Sequence, residues 1–169
     1  MAILLSSSDA DRLVAHARRA YPRECCGVLL GRDCGENHQV ERVVPASNIA
    51  EDDQRTNYQL DWSTLFRVVR AARLGPQRIL GFYHSHPDGS TRPSRRDRQA
   101  AWIDYAYLIV STDGHTRSGL SGWRMPAEGT EFHAETVEIS ALPDGSSAAC
   151  VAGTAVLGRI PDAGSPIMH

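Results

Sequence analysis

The sequence predicts a mixed α+β fold in which one sheet is flanked by helices. Segments with apolar residues at helical spacing alternate with short runs rich in branched apolar residues. Several of these runs follow one another with no helix between them, which argues against a doubly wound parallel sheet, because each crossover in that architecture needs a long connection. With 169 residues and a 41% hydrophobic content, the chain can bury one substantial core.

The first part of the chain is predicted to form a strand, a helix and an antiparallel strand pair. A short strand at residues 3–5 precedes a helix that runs to about Ala20, with serines available as N-caps. Pro22 ends this helix because proline cannot continue it. Residues 24–31 and 39–44 then read as two antiparallel strands joined by a turn.

A second helix is predicted after a polar loop. The loop covers residues 45–57, and a short strand is expected at 58–60. Asp61 supplies an N-cap for a helix over 62–74, and Gly75-Pro76 ends it. The spacing of apolar residues predicts an inner helix face formed by Leu65, Phe66, Val69 and Ala72.

The remainder of the folded part is predicted to consist mainly of strands. A dense apolar run at 79–83 forms a strand that leads into two histidines. A loop follows, and a helix starts near Ser94. Residues 105–112 read as another buried strand, and 120–125 and 132–139 as two late strands.

Composition sets the domain limits and the expected compartment. Residues 1–140 are expected to form one domain, and 141–169, rich in Ala, Gly, Ser and Pro, a disordered tail. The formal net charge of −2 gives no general attraction to nucleic acid or to an anionic membrane. We expect a cytoplasmic protein, since neither a signal peptide nor an apolar run of membrane-spanning length is evident.

Two histidines and one aspartate form the most informative pattern in the chain. His84 and His86 lie at the end of a predicted strand, and Asp97 follows ten residues after Pro87. Alternate side chains of a strand share a face, so the two imidazoles should point the same way. Two imidazoles and a carboxylate form the ligand set of a catalytic zinc site that keeps one position for water. The alternative is a pair of surface histidines beside a turn.

Ser94 and Asp97 support two interpretations. Ser-x-x-Asp at the start of a helix is a capping-box pattern, in which the serine and the acid bond to each other's backbone. Following the two histidines, the same aspartate is also a candidate metal ligand. Both can hold if Ser94 begins the helix while Asp97 faces the metal, and the Ser94 hydroxyl could then stabilise a developing oxyanion.

A further carboxylate is needed to handle the protons of the attacking water, and Glu24 is the best candidate. It opens a predicted strand, so a rigid element would hold it. The small residues Cys25-Cys26-Gly27 that follow permit close backbone approach. The alternative is a solvated glutamate between a helix and a strand.

The complete pattern resembles a known family. Glu24, His84-Ser85-His86-Pro87 and Ser94-x-x-Asp97 together resemble the JAMM motif of the MPN-domain metalloproteases, in their stand-alone bacterial form. Residues 21–31 are similar to that family's region around its catalytic glutamate. The resemblance extends over about residues 1–140 and implies a curved mixed sheet flanked by helices, similar to the fold of cytidine deaminases.

The resemblance also implies a cofactor and a role for each residue. One zinc ion per chain would be bound by His84, His86 and Asp97. Glu24 would act as general acid/base on a metal-activated water, and Ser94 would support the oxyanion. The expected enzyme is a zinc-dependent peptidase or isopeptidase.

Substrate class follows from the resemblance alone. The family cleaves bonds at the C-terminus of ubiquitin or ubiquitin-like proteins, and the stand-alone bacterial forms resemble processing enzymes for sulfur-carrier proteins that end in Gly-Gly. We therefore expect such a carrier, or a short peptide, as the partner. A non-catalytic zinc-binding MPN scaffold and a metallopeptidase acting on cell-wall or other peptides remain alternatives. A zinc deaminase is disfavoured because the P-C-x-x-C signature is absent.

Arginines are concentrated around the predicted metal loop. We expect one of them, with Arg92 and Arg95 as the candidates, to bind the free carboxylate of the excised residue through a charge-assisted fork. The alternative is a solvated basic face. The oligomeric state is left open by the sequence.

Overall fold

Seven strands and three helices make up the described part of the chain, residues 1–140 of a computed structural model. The expected disordered tail at 141–169 lies outside the described residues. The mixed α+β prediction is confirmed. In chain order the elements are β1 (Ala2–Ser6), α1 (Ser7–Ala20), β2 (Cys26–Cys34), β3 (Asn37–Ala46), α2 (Trp62–Leu74), β4 (Arg78–His86), α3 (Arg95–Ala100), β5 (Ala106–Thr112), β6 (Ser118–Arg124) and β7 (His133–Ser140).

The strands form one curved mixed sheet in the order β1-β3-β2-β4-β5-β6-β7. Antiparallel pairs join β2 to β3 and β4, and β6 to β5 and β7, whereas β4 and β5 run parallel. The curvature brings β7 back beside β1, with which it pairs in parallel. β4 therefore lies in the middle of the sheet, with a strand on each side.

Each face of the sheet carries its own apolar core. Leu13 and Ala17 of α1 pack over one face, and Leu65 and Val68 of α2 pack over the other. Tyr83 belongs to the α1 side, whereas Phe82 belongs to the α2 side, as expected for alternate residues of one strand. None of the helices described here is long and apolar enough to cross a bilayer.

The close approach of β4 and β5 depends on Gly81. A Cβ atom at this position would lie 1.8 Å from the backbone oxygen of Ala106, so only glycine allows the observed spacing. The parallel pairing from Gly81↔Ala106 continues to His86↔Ser111. This glycine therefore permits the strand pairing that supports the last residues of β4.

Three sequence predictions about these elements are wrong in detail. β2 begins at Cys26, so Glu24 lies just before the strand and not at its first position. Residues 58–60 form only an isolated bridge, between Asn48 and Leu60. Phe66 is 78% exposed instead of facing inward. The buried stripe of α2 is centred on Leu65 and Val68, and Phe66, one residue after Leu65, falls about 100° around the helix from it.

Candidate active site

The last residues of β4 place two imidazoles on one face of the sheet. His84 and His86 are both buried, and their Nε2 atoms lie 3.0 Å apart. His84 pairs with Cys26 of β2 on one side and with Ile109 of β5 on the other. Because neighbouring strands hold the backbone on both sides, the two side chains project from a rigid part of the sheet.

Asp97 reaches the histidines from the first turn of α3. Its Oδ1 lies 3.3 Å from His84 Nε2, and its Oδ2 lies 3.4 Å from His86 Nε2. The same residue completes a capping box: the Asp97 backbone N–H donates to Ser94 Oγ at 3.1 Å, and the Ser94 backbone N–H donates to Asp97 Oδ2 at 2.5 Å. Both interpretations of Ser-x-x-Asp therefore hold at once.

The three side chains fit a zinc ion. Ligand atoms about 2.0–2.2 Å from a tetrahedral zinc lie about 3.3–3.6 Å from one another, close to the separations of 3.0–3.4 Å seen here. Two buried imidazoles and a carboxylate converge, which favours a cation at their centre. The Nε2 atoms of His84 and His86 face this centre, and their Nδ1 atoms have no hydrogen-bond partner among the described residues.

Glu24 lies in the same cavity as Asp97 and is itself 7% exposed. Burial, together with the nearby charges of Asp97 and Asp88, raises the pKa of this carboxyl to about 9, while the charge of Arg96 opposes the shift. These effects favour the protonated acid in the metal-free protein. A divalent cation in the same cavity acts in the opposite direction, because it stabilises the carboxylate.

Backbone hydrogen bonds hold Glu24 even though it lies outside β2. Its N–H donates to the Gln54 carbonyl at 2.7 Å, and its carbonyl accepts from Asn48 Nδ2 at 3.0 Å. The following residue, Cys25, donates its N–H to Ser85 Oγ at 2.8 Å, and its carbonyl accepts from the Ser85 N–H at 3.0 Å. Ser85 lies between the two histidines, so these bonds tie the glutamate segment directly to the strand end that carries both candidate ligands.

Asn48 organises the loop beside the site, a role that the sequence reading missed. Its side-chain Nδ2 also donates to the Asn57 carbonyl at 3.0 Å, and its Oδ1 accepts from the N–H groups of Ala50 and Gln59 at 3.0 and 3.1 Å. The local signal was an asparagine in a polar segment, which is typical of a side chain that bonds to nearby backbone. Its contacts with residues nine or more positions away had no local signal.

Tyr58 was also missed, and it contacts a metal-ligand candidate directly. Its buried ring stacks on His84, with the ring centroids 4.5 Å apart and the planes at 20°. This contact limits rotation of the imidazole. No sequence pattern links the two residues, which are brought together only by packing of the 48–60 loop against the end of β4.

The arginines near the site occupy different positions. Arg92 and Arg95 are exposed, and neither lines the cavity that contains Glu24 and Asp97. Arg96 does line it. Substrate binding by Arg92 or Arg95 stays a prediction, as does the oxyanion role of Ser94, whose side chain is exposed and already accepts the helix-capping bond.

Comparison with known proteins agrees with this geometry. The chain is 36% identical over 115 residues to the desampylase of Haloferax volcanii, covering 65% of this chain and 81% of that protein. It is 33% identical over 124 residues to the CysO-cysteine peptidase of Mycobacterium tuberculosis, covering 73% and 82%. The solution structure of protein DSY2949 from Desulfitobacterium hafniense superposes with a TM-score of 0.71 at 29% identity, covering 83% of this chain and 93% of that one.

A family profile completes the assignment. The profile described as prokaryotic homologs of the JAB domain matches residues 6–125, a range that contains Glu24, both histidines and Asp97. The resemblance to JAMM-type metallopeptidases drawn from the sequence is thereby confirmed, together with the predictions of a hydrolase and of zinc as its metal. The chain belongs to the family of prokaryotic homologs of the JAB domain.

Proposed function

We propose that this protein hydrolyses the amide bond that follows the C-terminal Gly-Gly of a ubiquitin-like sulfur-carrier protein in the cytoplasm. One observation carries the proposal: a buried acid, Glu24, shares a cavity with Asp97, which converges with His84 and His86. A metal site beside a separate carboxylate suits hydrolysis, because the ligands and the proton-transfer group are different residues.

The chain's own residues account for the proton transfers. Zinc, when held by His84, His86 and Asp97, supplies a Lewis acid that polarises the carbonyl and lowers the pKa of a water molecule. Glu24 accepts the proton of the attacking water and delivers it to the leaving amine. The buried environment that raises the pKa of Glu24 suits a group that must hold a proton between these two steps.

We assign the Ser94 hydroxyl the role of an oxyanion donor in the same reaction. Ser94 Oγ accepts a hydrogen bond from the Asp97 backbone, so its own hydrogen stays available to donate. Donation to the developing oxyanion would stabilise the charge that forms as water adds to the carbonyl.

Substrate class is supported by the relatives. Two of them are named as a desampylase and as a CysO-cysteine peptidase. We infer that this chain acts on the same class of bond, at the C-terminus of a small carrier protein. Cell-wall peptides are the competing substrate class, and a non-catalytic scaffold is the competing function.

The experiment is cleavage of a sulfur-carrier protein extended beyond Gly-Gly, measured by intact mass. We expect the zinc-loaded wild type to release the extension and Glu24→Gln to retain zinc but lose activity. Glu36→Gln, an exposed acid in the turn between β2 and β3, is the matched control and should be fully active. Full activity of zinc-loaded Glu24→Gln would refute the role of Glu24, and exclusive cleavage of a cell-wall peptide would refute the substrate class.

A further inference from the structure

Arg96 is the one basic residue found along the cavity that contains Glu24 and Asp97, within the described residues. The same cavity is lined by Thr56, Asn57 and Tyr58 of the loop that Asn48 organises. A cation in this position is next to the groups that perform the proposed reaction. Its neighbours in sequence, Arg92 and Arg95, do not reach this surface.

The Arg96 guanidinium is available to a ligand. It makes no hydrogen bond or ion pair with any residue of the described part of the chain, whereas Arg98 donates to the Pro93 carbonyl and approaches Glu131. The charge of Arg96 also opposes the rise in the pKa of Glu24, which places the guanidinium within electrostatic range of that carboxyl. An unpaired arginine beside a reaction centre is suited to an anionic substrate group.

The chemistry of the leaving group specifies where such an anion would lie. In the hydrolysis, the hydroxyl of water bonds to the carbonyl carbon, the C–N bond breaks, and the remaining proton goes to the amine. If the leaving group is a single free amino acid, its carboxylate is one carbon away from that amine. A lysine side chain in an isopeptide has no carboxylate near the leaving nitrogen. Because Glu24 protonates the amine, the α-carboxylate of a one-residue leaving group must lie close to Glu24.

We propose that Arg96 binds the α-carboxylate of a single residue appended to the carrier, so that the enzyme releases one free amino acid in preference to a larger or isopeptide-linked partner. This inference rests on the proposed function and specifies its leaving group. Arginine suits the role because its planar guanidinium can hold a carboxylate through two parallel hydrogen bonds.

The test uses two carrier substrates, each with one residue appended after Gly-Gly, that differ only in the C-terminal group of that residue. One ends in a free carboxylate and the other in a carboxamide. We expect wild-type kcat/KM to be about 10- to 100-fold higher for the carboxylate, the range for hydrogen bonds to a charged group. Arg96→Gln should lose this preference by slowing carboxylate cleavage, with carboxamide cleavage and zinc content unchanged. Arg95→Gln tests the competing candidate predicted from the sequence, and Arg70→Gln on the exposed side of α2 is the control.

The outcomes separate this inference from the proposed function. Wild-type cleavage of both substrates at the same rate would overturn the proposed binding of the α-carboxylate by Arg96, but would leave the proposed peptidase activity supported. A preference that persists in Arg96→Gln, or that disappears in Arg95→Gln instead, would also overturn it. Cleavage of neither substrate would refute the proposed carrier function, and this inference with it.

Discussion

The same four-residue motif begins two helices of this protein, with different consequences. Ser6-x-x-Asp9 begins α1, and Ser94-x-x-Asp97 begins α3. In each, the serine Oγ accepts a hydrogen bond of 3.1 Å from the backbone N–H of the aspartate, and the aspartate is buried. The bond from the aspartate N–H to the serine is therefore the same at the two sites. At α3 the Ser94 N–H also donates to Asp97 Oδ2, whereas at α1 the Ser6 hydroxyl donates to Asp9 Oδ2 at 3.0 Å.

The difference lies in what the two carboxylates contact. Asp9 Oδ1 accepts from the Arg12 guanidinium at 3.0 Å, one turn further along its own helix. Asp97 instead faces His84 and His86, which come from a strand in the centre of the sheet. The comparison teaches that the motif fixes the backbone of a helix start, while the neighbouring element decides whether its acid is a structural group or a metal ligand.

Exchanging each aspartate for asparagine should separate the two roles most strongly. We expect Asp97→Asn to lower zinc affinity by more than about 100-fold, since changes to groups outside the ligand shell already cost about 10- to 100-fold. Asp9→Asn should keep its zinc and lose about 1–2 kcal/mol of stability from the weakened cap and ion pair. Metal content and chemical denaturation measure the two effects. Equal zinc affinity in the two variants would contradict the distinction.

Removing each capping hydroxyl is the second comparison. Ser6→Ala and Ser94→Ala should each lose about 1 kcal/mol of stability, as is usual for a lost N-cap. Only Ser94→Ala should also lower kcat, by about 100-fold, if its hydroxyl donates to the oxyanion. Steady-state kinetics at matched zinc content provide the measurement. If the two variants remained equally active, Ser94 would be a capping residue only.

A third change is made at Ser85, which lies between His84 and His86 at the end of β4. Ser85→Ala removes the acceptor for the buried Cys25 N–H, at a cost of about 1–3 kcal/mol. Because this bond links the Glu24 segment to the metal-binding strand, we expect kcat to fall by about 10-fold, with zinc binding largely kept. The readout is kcat at saturating zinc beside the melting temperature. An unchanged kcat in a destabilised variant would show that Ser85 contributes to folding alone.

The smallest expected effect concerns Glu24, a buried acid that pairs with neither an arginine, as Asp9 does, nor the two histidines, as Asp97 does. Below pH about 4.5, Glu24 is protonated in both the folded and the unfolded metal-free chain, so it adds no pH dependence. Between pH 4.5 and about 9 the unfolded chain ionises first, so the folded state loses stability as pH rises. Metal-free Glu24→Gln should therefore melt a few degrees higher than wild type at pH 8 and show a smaller difference at pH 5. Parallel melting curves of the two proteins at all pH values would contradict the raised pKa.

Local signals predicted most of the secondary structure. Asp61 and Gly75 bracket α2, and the structure places that helix at Trp62–Leu74, as the sequence indicated. The strand ending in His84 and His86 was predicted from its apolar run, and alternation placed both rings on one face. These features depend on residues close in sequence, so a single sequence carries them.

Contacts between distant segments explain what the sequence reading missed. Tyr58 stacks on His84, and Asn48 bonds to Glu24, across separations of 26 and 24 residues for which no periodicity exists. The orientation of Phe66 also depends on which side of α2 meets the sheet. Of the four arginines at residues 92–98, Arg96 is the one that lines the cavity, and this depends on how the 48–60 loop packs against α3.

The sequence by itself determined the order of the helices and of the main strands along the chain, the helix N-caps and the chemical types of the metal-site residues. Each of these follows from spacing and side-chain chemistry over a few positions. The sequence nominated Asp97 and Glu24, but only the tertiary structure showed that Asp97 meets the histidines, that Glu24 is buried in the same cavity as Asp97, and that Arg96 lines this cavity. Those outcomes depend on which elements pack together, and that packing balances apolar burial and hydrogen bonding over the whole domain.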